Sequence, residues 1–167
     1  MTVLMEPRPD PLPHARAVAL SAADVARGVT RMLLRHDLTA VGEVPLEGGR
    51  RADLMAIDAR GQIVIVEIKI SRADLFGDTK WPDYLAHCDR FFWAVPLGFD
   101  TTTLDGPAFL PERTGVIVAD RYDASILRDA HREPMLPAAR RGETLSFARR
   151  AARRLALALD PDAELPI

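Results

Sequence analysis

The run Ile63-Val64-Ile65-Val66-Glu67-Ile68-Lys69-Ile70 constrains this chain more than any other segment. It reads as a strand built from β-branched residues, yet it carries a carboxylate and an ammonium. Such groups leave water only when they are paired or bound to an ion. Glu67 and Lys69 are two positions apart, so they share one face of the strand while Val66, Ile68 and Ile70 point to the other. A charged pair therefore projects from a rigid platform.

Upstream, Arg51-Ala52-Asp53-Leu54-Met55-Ala56-Ile57 alternates in the same way, and Asp58-Ala59-Arg60-Gly61 has the composition of a type I turn. With Gly61 as the bulge residue, Asp58 pairs with Gln62. Counting back along both strands then sets Asp53 opposite Glu67. Two facing carboxylates destabilise a sheet unless a cation lies between them, and a divalent metal is the obvious candidate. Lysine usage points to the same place. Of 22 basic residues only Lys69 and Lys80 are lysine, a compact ammonium where the rest of the chain uses the guanidinium fork.

A chain of 167 residues with 48% apolar content supports one core and hence one domain. The single Cys88 excludes an internal disulfide, no stretch has the length and apolarity of a membrane span, and the N-terminus lacks a signal-peptide pattern. A cytoplasmic protein is expected. The net charge of -2 carries no global nucleic-acid signature, but residues 128–154 hold eight Arg against three acids.

Pro7, Pro9, Pro11 and Pro13 mark a flexible leader over residues 1–20, with a single domain over 21–167. Ser21 and Asp24 form a capping pattern for a helix over 21–37, whose apolar side is Val25, Val29, Met32 and Leu33. Val41 to Leu46 reads as a strand near an edge, because Pro45 cannot donate to a ladder. Ser71 to Cys88 reads as helix interrupted at Gly77 and Pro82. Strands follow at 90–95, 115–119 and more weakly 124–127, with a loop over 96–114. A last helix over about 143–159 sets Leu145, Ala148, Ala152, Leu155 and Leu159 on one side and Arg149, Arg150, Arg153 and Arg154 on the other. The fold class expected is α/β, a mixed central sheet flanked by helices.

This order, with Asp53 on the second strand and Glu67-Ile68-Lys69 on the third, resembles the PD-(D/E)xK nuclease superfamily, with Ala52-Asp53 in place of its Pro-Asp element. The longer text is more specific. Gly49-Arg50-Arg51-Ala52-Asp53, Val64-Ile65-Val66-Glu67-Ile68-Lys69, Lys80-Trp81-Pro82-Asp83-Tyr84 and Cys88-Asp89-Arg90-Phe91 resemble the MmcB-like DNA repair proteins over about residues 21–128. The resemblance implies a restriction-endonuclease-like fold and a role in repair, with damaged or branched DNA and other repair proteins as partners and no membrane.

In the reading this favours, Asp53, Glu67 and Lys69 are catalytic. Asp53 and Glu67 bind Mg²⁺ or Mn²⁺ with the Ile68 carbonyl and waters, as hard oxygen ligands do, and Glu43 on the first strand is a supplementary ligand if the register turns it inward. The plain alternative is a cross-strand ion pair on a solvated face, worth about 0.2 to 1 kcal/mol. Lys80 and Arg72 are candidate DNA contacts. Trp81 and Tyr84 read more simply as core. The Arg149, Arg150, Arg153 and Arg154 stripe is either a phosphate track or a solvated helix face. His87 and Cys88 are adjacent and lack a second ligand pair, which argues against zinc. The expected function is metal-dependent hydrolysis of DNA, and the alternative is a non-cleaving DNA- or partner-binding module of the same fold.

Overall fold

A computed structural model describes residues 19–163. The leader expected over residues 1–20 falls, apart from its last two residues, outside the described residues.

Helix α1 spans Ala22–Arg35 and begins with the capping box anticipated from Ser21 and Asp24: each side chain accepts from, or reaches back to, the other's backbone N–H. Gly28 is needed where this helix touches the turn over residues 120–123, since a Cβ there would lie 2.1 Å from the Asp120 carbonyl oxygen. Six strands follow: β1 Leu38–Pro45, β2 Arg51–Asp58, β3 Ile63–Ile68, β4 Arg90–Pro96, β5 Thr114–Ala119 and β6 Ala124–Arg128. They form one sheet in the order β1-β2-β3-β4-β5-β6, with β3, β4 and β5 mutually parallel and the outer pairings antiparallel. Pro45 ends the edge strand, where its missing donor costs nothing.

The sheet has a packed core on each face. On one, Val25, Val29 and Met32 of α1 meet Leu54, Val64, Val66, Phe92 and Ile117. On the other, Met55, Ile63, Ile65, Phe91 and Trp93 meet the β3-to-β4 crossover. That crossover is the expected interrupted helix: α2, Arg72–Gly77, then a 3-10 segment, Trp81–His87. Trp81 and Tyr84 are core, as their composition indicated. Trp81 packs 5.1 Å from Trp93 and 5.4 Å from Phe91, centroid to centroid. The loop after β4 contains two short 3-10 turns, at Thr101–Asp105 and Pro107–Phe109.

The last helix departs from its expected boundaries and face. Helix α3 starts at Pro137, and Leu145, Leu155 and Leu159 are 61%, 61% and 78% exposed. The side turned to the protein carries Ala139, Glu143, Phe147 and Ala151. Periodicity pointed to the leucines because they are the large apolar residues. The docking contacts are instead Phe147 and polar ties, which an apolar pattern does not register. Glu143 meets His87 Nδ1 at 2.6 Å, and Arg140 holds the buried Asp89 through two bonds of 2.6 and 2.7 Å. His87 and Cys88 are thereby accounted for without zinc: the thiol is buried, and burial pushes its pKa up to about 12. No described helix is long and apolar enough to cross a membrane.

Candidate metal centre

The β2–β3 turn forms as its residues require. Asp58 N–H donates to the Gln62 carbonyl at 3.2 Å, Gly61 takes φ 77°, and the ladder runs Ile57↔Ile63 to Leu54↔Val66. Its next step falls on Asp53 and Glu67, where side chains take over from backbone. Asp53 N–H donates to Glu67 Oε1 at 3.1 Å, and Ile68 N–H donates to Asp53 Oδ2 at 2.8 Å. One oxygen of each carboxylate is thus tied to the neighbouring strand. Among the described residues, Asp53 Oδ1 accepts no hydrogen bond, and Glu67 Oε2 has only Lys69 Nζ, 3.9 Å away.

On the other side of Asp53 the β1–β2 ladder skips the Glu43–Asp53 pair, and Glu43 sits at φ 53°. Val41 and Val44 both join the aromatic-side core, as do Ala52 and Met55, so the alternation of faces slips across 43 and 53. The slip re-aims side chains as a bulge does. Asp53 consequently lines two depressions, a recess with Glu67, Lys69, Asp74 and Asp78, and a groove with Glu43.

Burial dominates the electrostatics. Glu67 is only 3% exposed, and desolvation, reinforced by the Asp53 charge, pushes its pKa up to about 8. Burial raises Asp53 as well, against the Ile68 N–H and Lys69. For Lys69, burial disfavours the charge. The hydrogen bond and charge of Asp78, with Glu67 and Asp74, outweigh it and hold the ammonium above its usual range. Asp78 Oδ2 accepts from Lys69 Nζ at 2.9 Å, and the ammonium lies 5.9 Å over the Trp93 ring. No local pattern in the sequence marks Asp78. It is the C-cap of α2, nine positions beyond Lys69, and only the crossover packing of Leu75 and Trp81 brings it back.

Between the ordinary glutamate value of 4.5 and about 8, folded Glu67 keeps a proton that the unfolded chain has released. Stability from this group is therefore full below pH 4.5 and lost as pH rises toward 8. Glu67→Gln is expected to stabilise the metal-free protein at pH 8 by about 2 kcal/mol, or ~5 °C in Tm, and to make no difference at pH 4. Thermal unfolding in EDTA at both pH values checks it, and an equal effect at both would refute the assignment.

The remaining expected residues are dispersed. Glu43 pairs with Arg51 at 3.2 Å and does not line the Glu67 recess. Among the described residues no third Asp, Glu, His or Cys joins the two carboxylates in a metal-holding cluster. Arg72 is exposed and engaged by Asp100 at 3.2 Å, and Lys80 is an exposed cap residue. The arginine stripe divides: Arg149 and Arg153 face solvent, Arg150 is half-buried with an unpartnered Nε, and Arg154 reaches over Gly42.

The donor set fits a hard divalent ion. It offers oxygen only, one free carboxylate oxygen from each of two adjacent strands, and leaves other positions to water and substrate, as Mg²⁺ prefers. Asp and Glu-x-Lys on adjacent strands of a mixed sheet flanked by helices define an α/β protein with the PD-(D/E)xK constellation. The profile of the MmcB-like family, described as DNA repair protein MmcB-like, matches residues 8–162, and the chain belongs to that family. The SPO1766 protein of unknown function from Silicibacter pomeroyi is 40% identical and superposes with a TM-score of 0.77 over 84% of this chain and 92% of its own. A repair endonuclease from Pyrococcus abyssi is 20% identical, with a TM-score of 0.36 over 51% of this chain and 42% of its own. No curated protein matches.

Proposed function

We propose that this DNA repair protein is a metal-dependent deoxyribonuclease whose working residues are Asp53, Glu67 and Lys69. The observation that carries this reading is the pair of carboxylates locked side by side, each with one oxygen outside any hydrogen bond, and that of Glu67 facing a buried ammonium. A hydrophobic strand has no structural need for that arrangement, which costs stability at neutral pH. Mg²⁺ or Mn²⁺ held by Asp53 and Glu67, with the Ile68 carbonyl, would acidify a bound water and neutralise charge on the scissile phosphate. Lys69 then presents a fixed positive charge where the phosphate oxygens gain negative charge, and Asp78 orients it.

A second reading, a DNA-binding module that does not cut, draws support from the same contact. The Lys69 ammonium lies closer to Asp78 than to Glu67, 2.9 against 3.9 Å. Labelled linear, nicked, flapped and crosslinked DNA incubated with Mg²⁺, Mn²⁺ or EDTA separates the two. Metal-dependent products lost in Asp53→Asn support the nuclease, and intact substrate throughout supports the module. Metal binding is checked independently of cutting. Millimolar Mn²⁺ is expected to raise the Tm of the wild type by several degrees through mass action and that of Asp53→Asn hardly at all. Equal responses would assign the carboxylates a structural role.

A further inference from the structure

Beside Asp53, on the α1 face of the sheet, runs a groove of about 680 Å³ whose lining, apart from Asp53 and Ile68, the proposed chemistry does not use. Its floor is Ala40, Gly42, Leu54 and Ile68 of the sheet, one wall is the small-residue side of α1, and Asp53 lies at the end it shares with the recess. Cations stand on both sides. Arg27 on α1 is largely exposed, and its nearest acid, Asp24, is 4.0 Å away and already engaged in capping the helix. Opposite it, Arg154 of α3 reaches across the edge strand and makes no ion pair among the described residues; its Nη1 would lie 3.5 Å from a Cβ at Gly42. Arg31 stiffens the α1 wall by donating to the Arg121 and Tyr122 carbonyls. The two acids along the groove are Asp53 and Glu43, and Glu43 is neutralised by Arg51.

An aliphatic floor between two guanidinium groups, ending at a carboxylate centre, suits a chain that is apolar on its sugar and base faces and anionic along its backbone. The volume is that of a ligand pocket, room for a short stretch of one strand. We infer that the α1–α3 groove binds a single nucleic-acid strand, with Arg27 and Arg154 on its phosphates, and leads it to Asp53. The inference rests on the nucleic-acid part of the proposed function and not on hydrolysis, so its test is run without metal.

Fluorescence anisotropy of labelled oligo-dT in EDTA, over a salt series, reads it directly. Arg27→Gln/Arg154→Gln is expected to weaken binding about tenfold and to flatten the logarithmic salt slope by about 1.4, two phosphates at about 0.7 each. Arg60→Gln/Arg141→Gln removes the same charge from exposed positions outside the groove and should leave both quantities near wild type. Gly42→Val fills the floor without changing charge and is expected to match the first pair, with circular dichroism confirming the fold. Equal losses in the two arginine pairs, or undisturbed binding in Gly42→Val, would overturn the groove. An equal loss on a blunt hairpin duplex would overturn the single-strand assignment. Cleavage failing while these binding effects hold would count against the nuclease alone.

Discussion

Lys69→Ala is expected to reduce metal-dependent DNA cleavage by a factor of about 10² to 10³ while binding in EDTA persists, the usual loss for a positioned charge in a transition state. The ammonium is buried, 2.9 Å from Asp78 and 3.9 Å from Glu67, so it is preorganised before any substrate arrives. Its removal also leaves two acids facing each other with less compensation, and the variant should melt earlier in metal-free buffer than in Mn²⁺. Single-turnover rates with saturating DNA, well below the variant's Tm, separate the two effects. Lys69→Arg should rescue poorly, since a longer, planar, forked cation does not reproduce the point charge that Asp78 Oδ2 holds at 2.9 Å. Wild-type rates in Lys69→Ala would remove this residue from the mechanism.

Asp89→Ala should cost about 3 to 5 kcal/mol, lowering Tm by ~10 °C or more, although Asp89 is remote from the recess. Its carboxylate is fully buried and accepts from Ile63 N–H at 2.8 Å, Met135 N–H at 3.2 Å and both terminal nitrogens of Arg140. Burial alone would raise its pKa, but the bonds from Arg140, Ile63 and Met135 prevail and hold it below the usual range. One side chain thus joins the start of β3, the start of β4 and the root of α3. Adding Arg140→Leu should recover only part of the loss, because the Ile63 and Met135 donors stay unpaired. Thermal unfolding of the single and double variants checks this, and a drop of only one or two degrees for Asp89→Ala would show that the network carries little of the fold.

The two residues placed most accurately from sequence, Asp53 and Glu67, belong to a hairpin whose turn chemistry sits in four consecutive residues. Asp58 and Gly61 determine where the strands reverse, and the pairing follows by counting. The α1 start was legible for the same reason, since its capping box spans Ser21 to Asp24. Glu43 shows where counting stops. Counting sets it opposite Asp53, yet the ladder skips that pair, and a left-handed backbone and the Arg51 ion pair decide where its carboxylate goes.

Helix α3 shows the limit more sharply. Its leucines have the spacing of a buried face, and they face solvent because the surface opposite offers His87 and Asp89 as partners for Glu143 and Arg140. Short-range chemistry, meaning turns, caps and strand alternation, determined by itself that a carboxylate pair and a lysine would stand together on one hairpin. Only the tertiary structure decided that Asp78 would hold that lysine and that Arg154 would cross to face Arg27. Both depend on how distant segments pack, and that is settled by burial summed over the whole core and not by any local pattern.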